Sequence, residues 1–363
     1  MKILHVLYSG LGGHGNVFFS FVQADSEKEF EHEALFNGVE EVREEYKQRC
    51  AKAKINWAFV KKTPGLDLGF YSRLMKAIRR SRPDVIFLHG STQVLWAKLA
   101  ALFSGRRCRV LVRETQANHL KTKQDWLWLS VALVAAGKIV FLTDAYRDEI
   151  RKKLRWIYRD KKTTVIPNGI NLEQFVPALV PGSDRLVVGM QSRVVPIKDH
   201  VTLLKAFATL VHDPAFRNVE LQLKIAGDGE SRAGLERLSE QLGIQSHVVF
   251  PGMITESELV HFLNSLHIYV HASLGETMST AIMQAMACGL PVIASDVPGI
   301  NNMIIPGQTG LLVPAKDVTA MQQSISRLIT DKTLAAALAA NALQYAVDHF
   351  SNKTMFNRYK AVF

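Results

Sequence analysis

Glu276 opens the segment whose residue types and spacing most directly suggest chemistry, ETMSTAIMQAMACGLPVIASDVPGINNMIIPGQTG, residues 276–310. An acid, a small-residue helix, a CGLPV strand and a turn at Pro298-Gly299 follow one another. That order aims a carboxylate and a helix N-terminus at the carboxyl end of a buried strand. The first N–H groups of a helix have no intrahelical acceptor and stand at the positive end of its dipole. Thr277, Met278 and Ser279 are therefore expected to offer amides to a phosphate. The Glu276 carboxylate suits the hydroxyls of a sugar, which donate to it. A ligand carrying both groups, a nucleotide sugar, is the natural candidate.

Two cations and two glycine turns could join this site. Arg193 and Lys198, in QSRVVPIKDH, can both reach a diphosphate from one strand-to-helix loop and neutralise its charge as it leaves. Gly227-Asp228-Gly229 follows the strand LQLKIA and is either a turn lining the nucleotide pocket or a helix N-cap. The first loop, Ser9-Gly10-Leu11-Gly12-Gly13-His14-Gly15-Asn16, lets backbone approach a ligand at Gly12, Gly13 and Gly15. Gly10, Gly12 and Gly15 have the GxGxxG spacing, but no acid ends the second strand, so a nicotinamide cofactor is disfavoured. No DxD occurs in the chain, and no metal site is expected.

Short β-rich runs alternate with amphipathic helical stretches, the pattern of parallel sheets with crossover helices. Predicted strands in the first half are 3–8, 32–36, 57–60, 85–88, 109–113, 138–142 and 163–166, with helices over 70–80, 93–103 and 145–157. A turn-rich stretch from Pro167-Asn168-Gly169 to Pro181-Gly182 is the expected linker. The rhythm restarts with strands over 186–190, 221–226, 248–250, 268–270, 292–294 and 311–313, and closes with helices over 332–348 and 353–363. The reading is α/β: two doubly wound Rossmann-like domains, 1–180 and 181–349, facing across a cleft, with ligands at strand carboxyl ends.

The 363 residues suffice for two cores, and 48% hydrophobic with 21% charged content is that of a soluble globular protein. Three cysteines, Cys50, Cys108 and Cys288, without metal-like spacing read as reduced thiols of a cytoplasmic protein. The start KILHVLY lacks a charged leader, so no signal peptide is expected. The longest apolar run, 126–137, is too short to span a bilayer about 30 Å thick. Of the net charge of +11, residues 1–180 supply 30 cations against 18 acids, and residues 181–363 supply 14 against 15. The basic half points to an anionic partner. Residues 147–162 (RDEIRKKLRWIYRDKK) and 121–138, with Lys121, Lys123, Trp126 and Trp128, mix cations with interfacial aromatics. This suits an anionic membrane surface on the inner face of the cell membrane. Nucleic acid is not expected, since no recognition motif occurs and the phosphate motifs lie in the uncharged half.

Arg193-x4-Lys198 after a strand, AGDG, Glu276 before a small-residue helix and CGLPVIASDVPG, in this order, resemble the retaining glycosyltransferases of the GT-B class, family 4. The resemblance covers essentially the whole chain and is stronger in the C-terminal half. It implies that Arg193 and Lys198 bind the donor diphosphate and that Glu276 holds the donor sugar. It further implies that Thr277 to Ser279 present amides to phosphate, that Gly12–Gly15 closes over the cleft, and that residues 350–363 return to the first domain. The implied reaction moves a sugar from a nucleotide diphosphate to a hydroxyl of a lipid-linked glycan in bacterial surface polysaccharide, lipopolysaccharide or glycolipid synthesis, without metal or cofactor. Two positions depart from the family. Gln284 stands where an acid holds the ribose hydroxyls. Glu114 stands where the family often has a histidine facing the reacting carbon, with His89 and His119 as nearby alternatives for that role. A protein that binds nucleotide or glycan without turnover, or a sugar-nucleotide epimerase of the same architecture, is the alternative.

Overall fold

The computed structural model describes residues 1–10, 13–65, 67–178 and 185–363. The chain divides into two units: Met1–Asn171 with Asn352–Phe363, and Leu172–Ser351. The sequence reading sets the division at 180/181, within the stretch 179–184 that lies outside the described residues. Leu172–Ala178 instead go with the second unit. Phe175 is buried, Ala178 N donates to Asn264 Oδ1 at 2.8 Å, and Asn264 Nδ2 donates to the Val176 carbonyl at 3.2 Å.

The first unit holds strands β1 (Lys2–Tyr8), β2 (Glu31–Gly38), β3 (Asn56–Lys61), β4 (Val85–Leu88), β5 (Arg109–Arg113), β6 (Lys138–Phe141) and β7 (Thr163–Val165). They form one parallel sheet in the order β3-β2-β1-β4-β5-β6-β7. The second unit repeats the plan with β8 (Arg185–Gln191), β9 (Glu220–Ala226), β10 (Val248–Gly252), β11 (Ile268–His271), β12 (Val292–Ser295) and β13 (Leu311–Val313). Their order is β10-β9-β8-β11-β12-β13, again parallel. β4, β11 and β12 are buried at every residue, as strands covered by helices on both faces must be.

The last helix, Asn352–Lys360, belongs to the first unit for a packing reason. Phe356 and Tyr359 set their rings 5.1 and 5.4 Å from Phe21, and Asn352 Nδ2 donates to the Ser20 carbonyl at 3.0 Å. The helix predicted over 145–157 runs only from Asp144 to Lys153. Its last turn carries Arg151, Lys152 and Lys153, after which Leu154 and Ile157 turn in against the core.

Candidate functional site

In both sheets the strand order reverses beside the first strand, between β1 and β4 and between β8 and β11. Such a reversal opens a crevice outside the strand carboxyl ends, where open α/β sheets bind ligands. In the second unit, residues 192–199 leave β8 and residues 272–279 leave β11, and the two loops are tied together. Leu274 N and Ser273 Oγ both donate to the Ile197 carbonyl, at 2.8 and 3.2 Å.

This joint brings Lys198 to Glu276. The Lys198 ammonium donates to Glu276 Oε1, and His271 Nε2 reaches the same oxygen at 3.0 Å. Tyr269 OH backs the histidine, 3.2 Å from both His271 Nδ1 and the Gln191 carbonyl. Ser279 Oγ stands 3.3 Å from His271 Nε2. Burial by itself would raise the Glu276 carboxyl, but the Lys198 charge and the hydrogen bond from His271 outweigh it and hold the group at about 2. The result is a fixed carboxylate, 15% exposed, whose oriented lone pairs can accept from hydroxyl groups. Burial pushes His271 below its ordinary value, so this ring is a neutral donor.

Arg193 is exposed on the same loop, and Gly227 and Gly229 seat that loop. A Cβ on Gly227 (φ +130°) would lie 1.8 Å from the Ser192 carbonyl oxygen, and one on Gly229 would lie 2.4 Å from that of Val194. Val194 N donates to the Asp228 carbonyl at 2.9 Å, which clips the loop onto the turn. Asp228 is not a helix N-cap; Ser231 holds that place for the helix Arg232–Gln241. The glycines thus serve close backbone approach.

The donor amides predicted at Thr277, Met278 and Ser279 are corrected by the helix start. The helix runs from Thr280 to Ala287 with Ser279 as N-cap, so Thr277 and Met278 precede it. Ser279 N is not an unpaired first-turn amide either; it meets Met303 Sδ at 3.3 Å. The first-turn groups are those of Thr280, Ala281 and Ile282. Gln284 is buried on this helix, and its Oε1 has no hydrogen-bond partner among the described residues.

In the first unit, Gly12 lies outside the described residues. Gly13 and Gly15 belong to the helix Gly13–Ala24 rather than to a loop. Gly15 is required by packing, because a Cβ there would stand 2.3 Å from the Tyr46 hydroxyl. Glu114, at the end of β5, is buried and tied down. Lys121 Nζ lies 3.4 Å from Glu114 Oε1, and Gln116 N donates to that oxygen at 3.0 Å. Lys121, expected on a membrane-facing surface, is therefore an interior ion-pair partner with a side chain 1% exposed. His119 is exposed on the short turn Asn118–Leu120.

His89, just past β4, ends a chain of side chains that sequence reading missed. Arg113 NH1 contacts His89 Nδ1 at 3.4 Å, and His89 Nε2 meets His5 Nδ1 at 3.3 Å. His5 Nε2 meets His32 Nδ1 at 3.1 Å, and His32 Nε2 meets Asp25 Oδ2 at 3.1 Å. Arginine only donates and a carboxylate only accepts. One proton assignment satisfies every contact: each histidine is neutral, with hydrogen on Nε2 and an acceptor at Nδ1. Burial supports it by pushing all three imidazoles below their ordinary value, His5 and His89 far below. Both ring nitrogens of His89 are thereby engaged within the unit. Arg113 is aimed by Asn168, whose Oδ1 accepts from its other terminal nitrogen. No local pattern marks Asp25, His32 and His5 as a set, because adjacent strands bring them together.

These two parallel sheets are those of a GT-B protein. The structure of Anabaena Alr3699/HepE in complex with UDP-glucose superposes with a TM-score of 0.82 at 19% identity, covering 100% of this chain and 99% of that one. The lipopolysaccharide outer core galactosyltransferase WaaB superposes with a TM-score of 0.70 at 18% identity, covering 100% and 99%. Residues 11–174 match the family Glycosyltransferase Family 4, and residues 173–345 match Glycosyl transferases group 1. The chain belongs to this glycosyltransferase family. It is 30% identical over 291 residues to a D-inositol 3-phosphate glycosyltransferase of Saccharomonospora viridis, covering 74% of this chain and 62% of the relative. It is 24% identical over 279 residues to the UDP-Gal:alpha-D-GlcNAc-diphosphoundecaprenol alpha-1,3-galactosyltransferase of Escherichia coli, covering 72% and 70%. The chain spans about half (45%) to 70% of the length of these and other curated relatives it matches.

Proposed function

We propose that this protein transfers a sugar, with retention, from a nucleotide diphosphate donor to a hydroxyl of a lipid-linked glycan in surface polysaccharide, lipopolysaccharide or glycolipid synthesis. The observation that carries this reading is the Glu276 carboxylate held against Lys198 at the reversal point of the second sheet. Glu276 accepts from hydroxyls of the donor sugar. Lys198 and Arg193 face the diphosphate and stabilise its charge as the glycosidic bond breaks, the part a metal ion would otherwise take. The leaving diphosphate oxygen takes the acceptor proton on the face where the new bond forms, so the protein supplies position and charge. The UDP-Gal in the name of the Escherichia coli relative and the UDP-glucose bound to the structural neighbour support a nucleotide-sugar donor, and the diphosphoundecaprenol in that same name supports a lipid-diphosphate acceptor.

The acceptor places the protein at the cytoplasmic face of the membrane, bound peripherally. No helix among the described residues is long and apolar enough to cross a membrane. The stretch 147–162 supports surface binding through Trp156, 78% exposed and covered on one side by the Arg155 guanidinium at 4.5 Å.

A second reading, binding without turnover, has Gln284 in its favour, since an amide brings no charge to the ribose. The buried, unpartnered Gln284 Oε1 fits the first reading as well, as an acceptor for a ribose hydroxyl. Thermal shift and calorimetry with UDP, GDP, ADP and CMP test both. The expected result is a preference for one diphosphate, a change in its affinity in Gln284→Glu, and slow nucleotide release from the matching sugar donor. Binding without any release would favour the second reading, and no binding would defeat both.

A further inference from the structure

The opposite edge of the first sheet, at the strand amino ends, carries a feature that catalysis does not use. A cavity of about 530 Å³ opens beside the starts of β4 and β5, lined by Lys98, Arg106, Arg107 and Arg109 with one acid, Asp84. That acid is already neutralised: Asp84 Oδ1 accepts from Arg106 at 3.0 Å and Oδ2 from Lys2 N at 2.8 Å. The cavity therefore has a net cationic lining. Its rim is apolar. Leu102 and Phe103, at the end of the helix Val94–Leu102, are 65% and 67% exposed.

The same character continues along the edge. β5 pairs with β6 and β6 with β7, and adjacent strands lie about 4.8 Å apart. Lys138 begins β6, and its ammonium bonds the Lys161 carbonyl; Lys162, just before β7, bonds the Val134 carbonyl. Val134 is itself exposed among these cations. A cationic band with outward Leu, Phe and Val side chains is complementary to a surface having both phosphate and hydrocarbon. A free phosphate would satisfy the arginines and leave the apolar side chains in water.

We propose that this edge docks on an anionic phospholipid bilayer: the cavity takes a lipid phosphate headgroup, and Leu102 and Phe103 enter the acyl boundary. The proposal rests on the membrane partner of the reading above; it shares Val134, Lys138 and Lys162 with the stretches 121–138 and 147–162 and adds the cavity beside β4 and β5 with Leu102 and Phe103. The test uses the full chain in sedimentation with vesicles of phosphatidylcholine alone and of phosphatidylcholine with 30% phosphatidylglycerol. Binding is expected only to the second kind, weakened by salt. Arg106→Gln with Arg107→Gln is expected to lower it at least about tenfold. Leu102→Ser with Phe103→Ser is expected to lower it at unchanged salt dependence. Equal partition of wild type and the arginine variant would overturn the proposal. So would inorganic pyrophosphate stabilising the wild type but not the arginine variant, with no vesicle binding by either; that result would mark a free-anion site. Both variants should keep wild-type nucleotide release from the donor, so loss of docking and failure of the transferase reading are separable.

Discussion

Gly299 lies directly against the backbone of Glu276: a Cβ on Gly299 would stand 2.1 Å from the Glu276 carbonyl oxygen and 2.8 Å from that of Thr277. The turn after β12 is thus a floor under the loop that presents the carboxylate. Gly299 also has φ +91°, a conformation costly for any residue with a side chain.

Gly299→Ala is accordingly expected to displace Glu276 without unfolding the unit. Sugar transfer should fall at least about tenfold, while far-ultraviolet circular dichroism stays that of wild type and the thermal midpoint drops. Transfer at the wild-type rate would show that the position of Glu276 does not depend on this floor.

Lys198→Ala and Glu276→Ala should each reduce transfer at least about tenfold, and the double variant should lose less than the product of the two. Removing Lys198 leaves a carboxylate only 15% exposed without its cation, which costs about 3–5 kcal/mol in such pairs. Burial is then no longer opposed by the Lys198 charge, so the Glu276 carboxyl should rise from about 2. The acid limb of the pH–rate profile should move to higher pH in Lys198→Ala, and an unmoved limb would detach Lys198 from that carboxylate.

The histidine chain of the first unit should appear in the pH dependence of stability. His5, His32 and His89 titrate below their ordinary value of 6.5 when folded, so the unfolded chain binds protons that the folded chain refuses. Their contribution is complete above about 6.5 and is lost as pH falls below it. Glu276, held at about 2 against an ordinary 4.5, acts in the same direction but only between those two values. Thermal midpoints measured from pH 7.5 to 5 should decline, and His5→Phe should flatten the decline. The same slope in both proteins would count against the neutral chain.

Much of the fold was legible because parallel strands announce themselves. β4, β5 and β13 fall at the predicted residues, since each is a short apolar run bounded by polar residues or turns. The helix Lys123–Ala135 was harder. Apolar residues surround it on all sides, so it lacks the one-sided pattern of a surface helix and reads as a membrane-seeking run. The helix Glu44–Lys52 buries only Tyr46 and Cys50, too few to impose a period.

The candidate site divides in the same way. Glu276, the loop Arg193–Lys198 and the glycine pairs are local signals, because a carboxylate before a helix or a glycine after a strand has its meaning within a few residues. Lys198 and Glu276 are 78 positions apart, and Asp25, His32, His5 and His89 come from three adjacent strands and the loops beside them. Their contacts and proton assignment come from strand order and burial, which no spacing along the chain encodes. The sequence alone determined the α/β rhythm, the family motifs and the charge difference between the halves. Tertiary structure decided that Lys121 is buried, that Gly15 serves packing, and that Glu276 is held as a carboxylate, because each depends on which distant groups exclude water or supply charge.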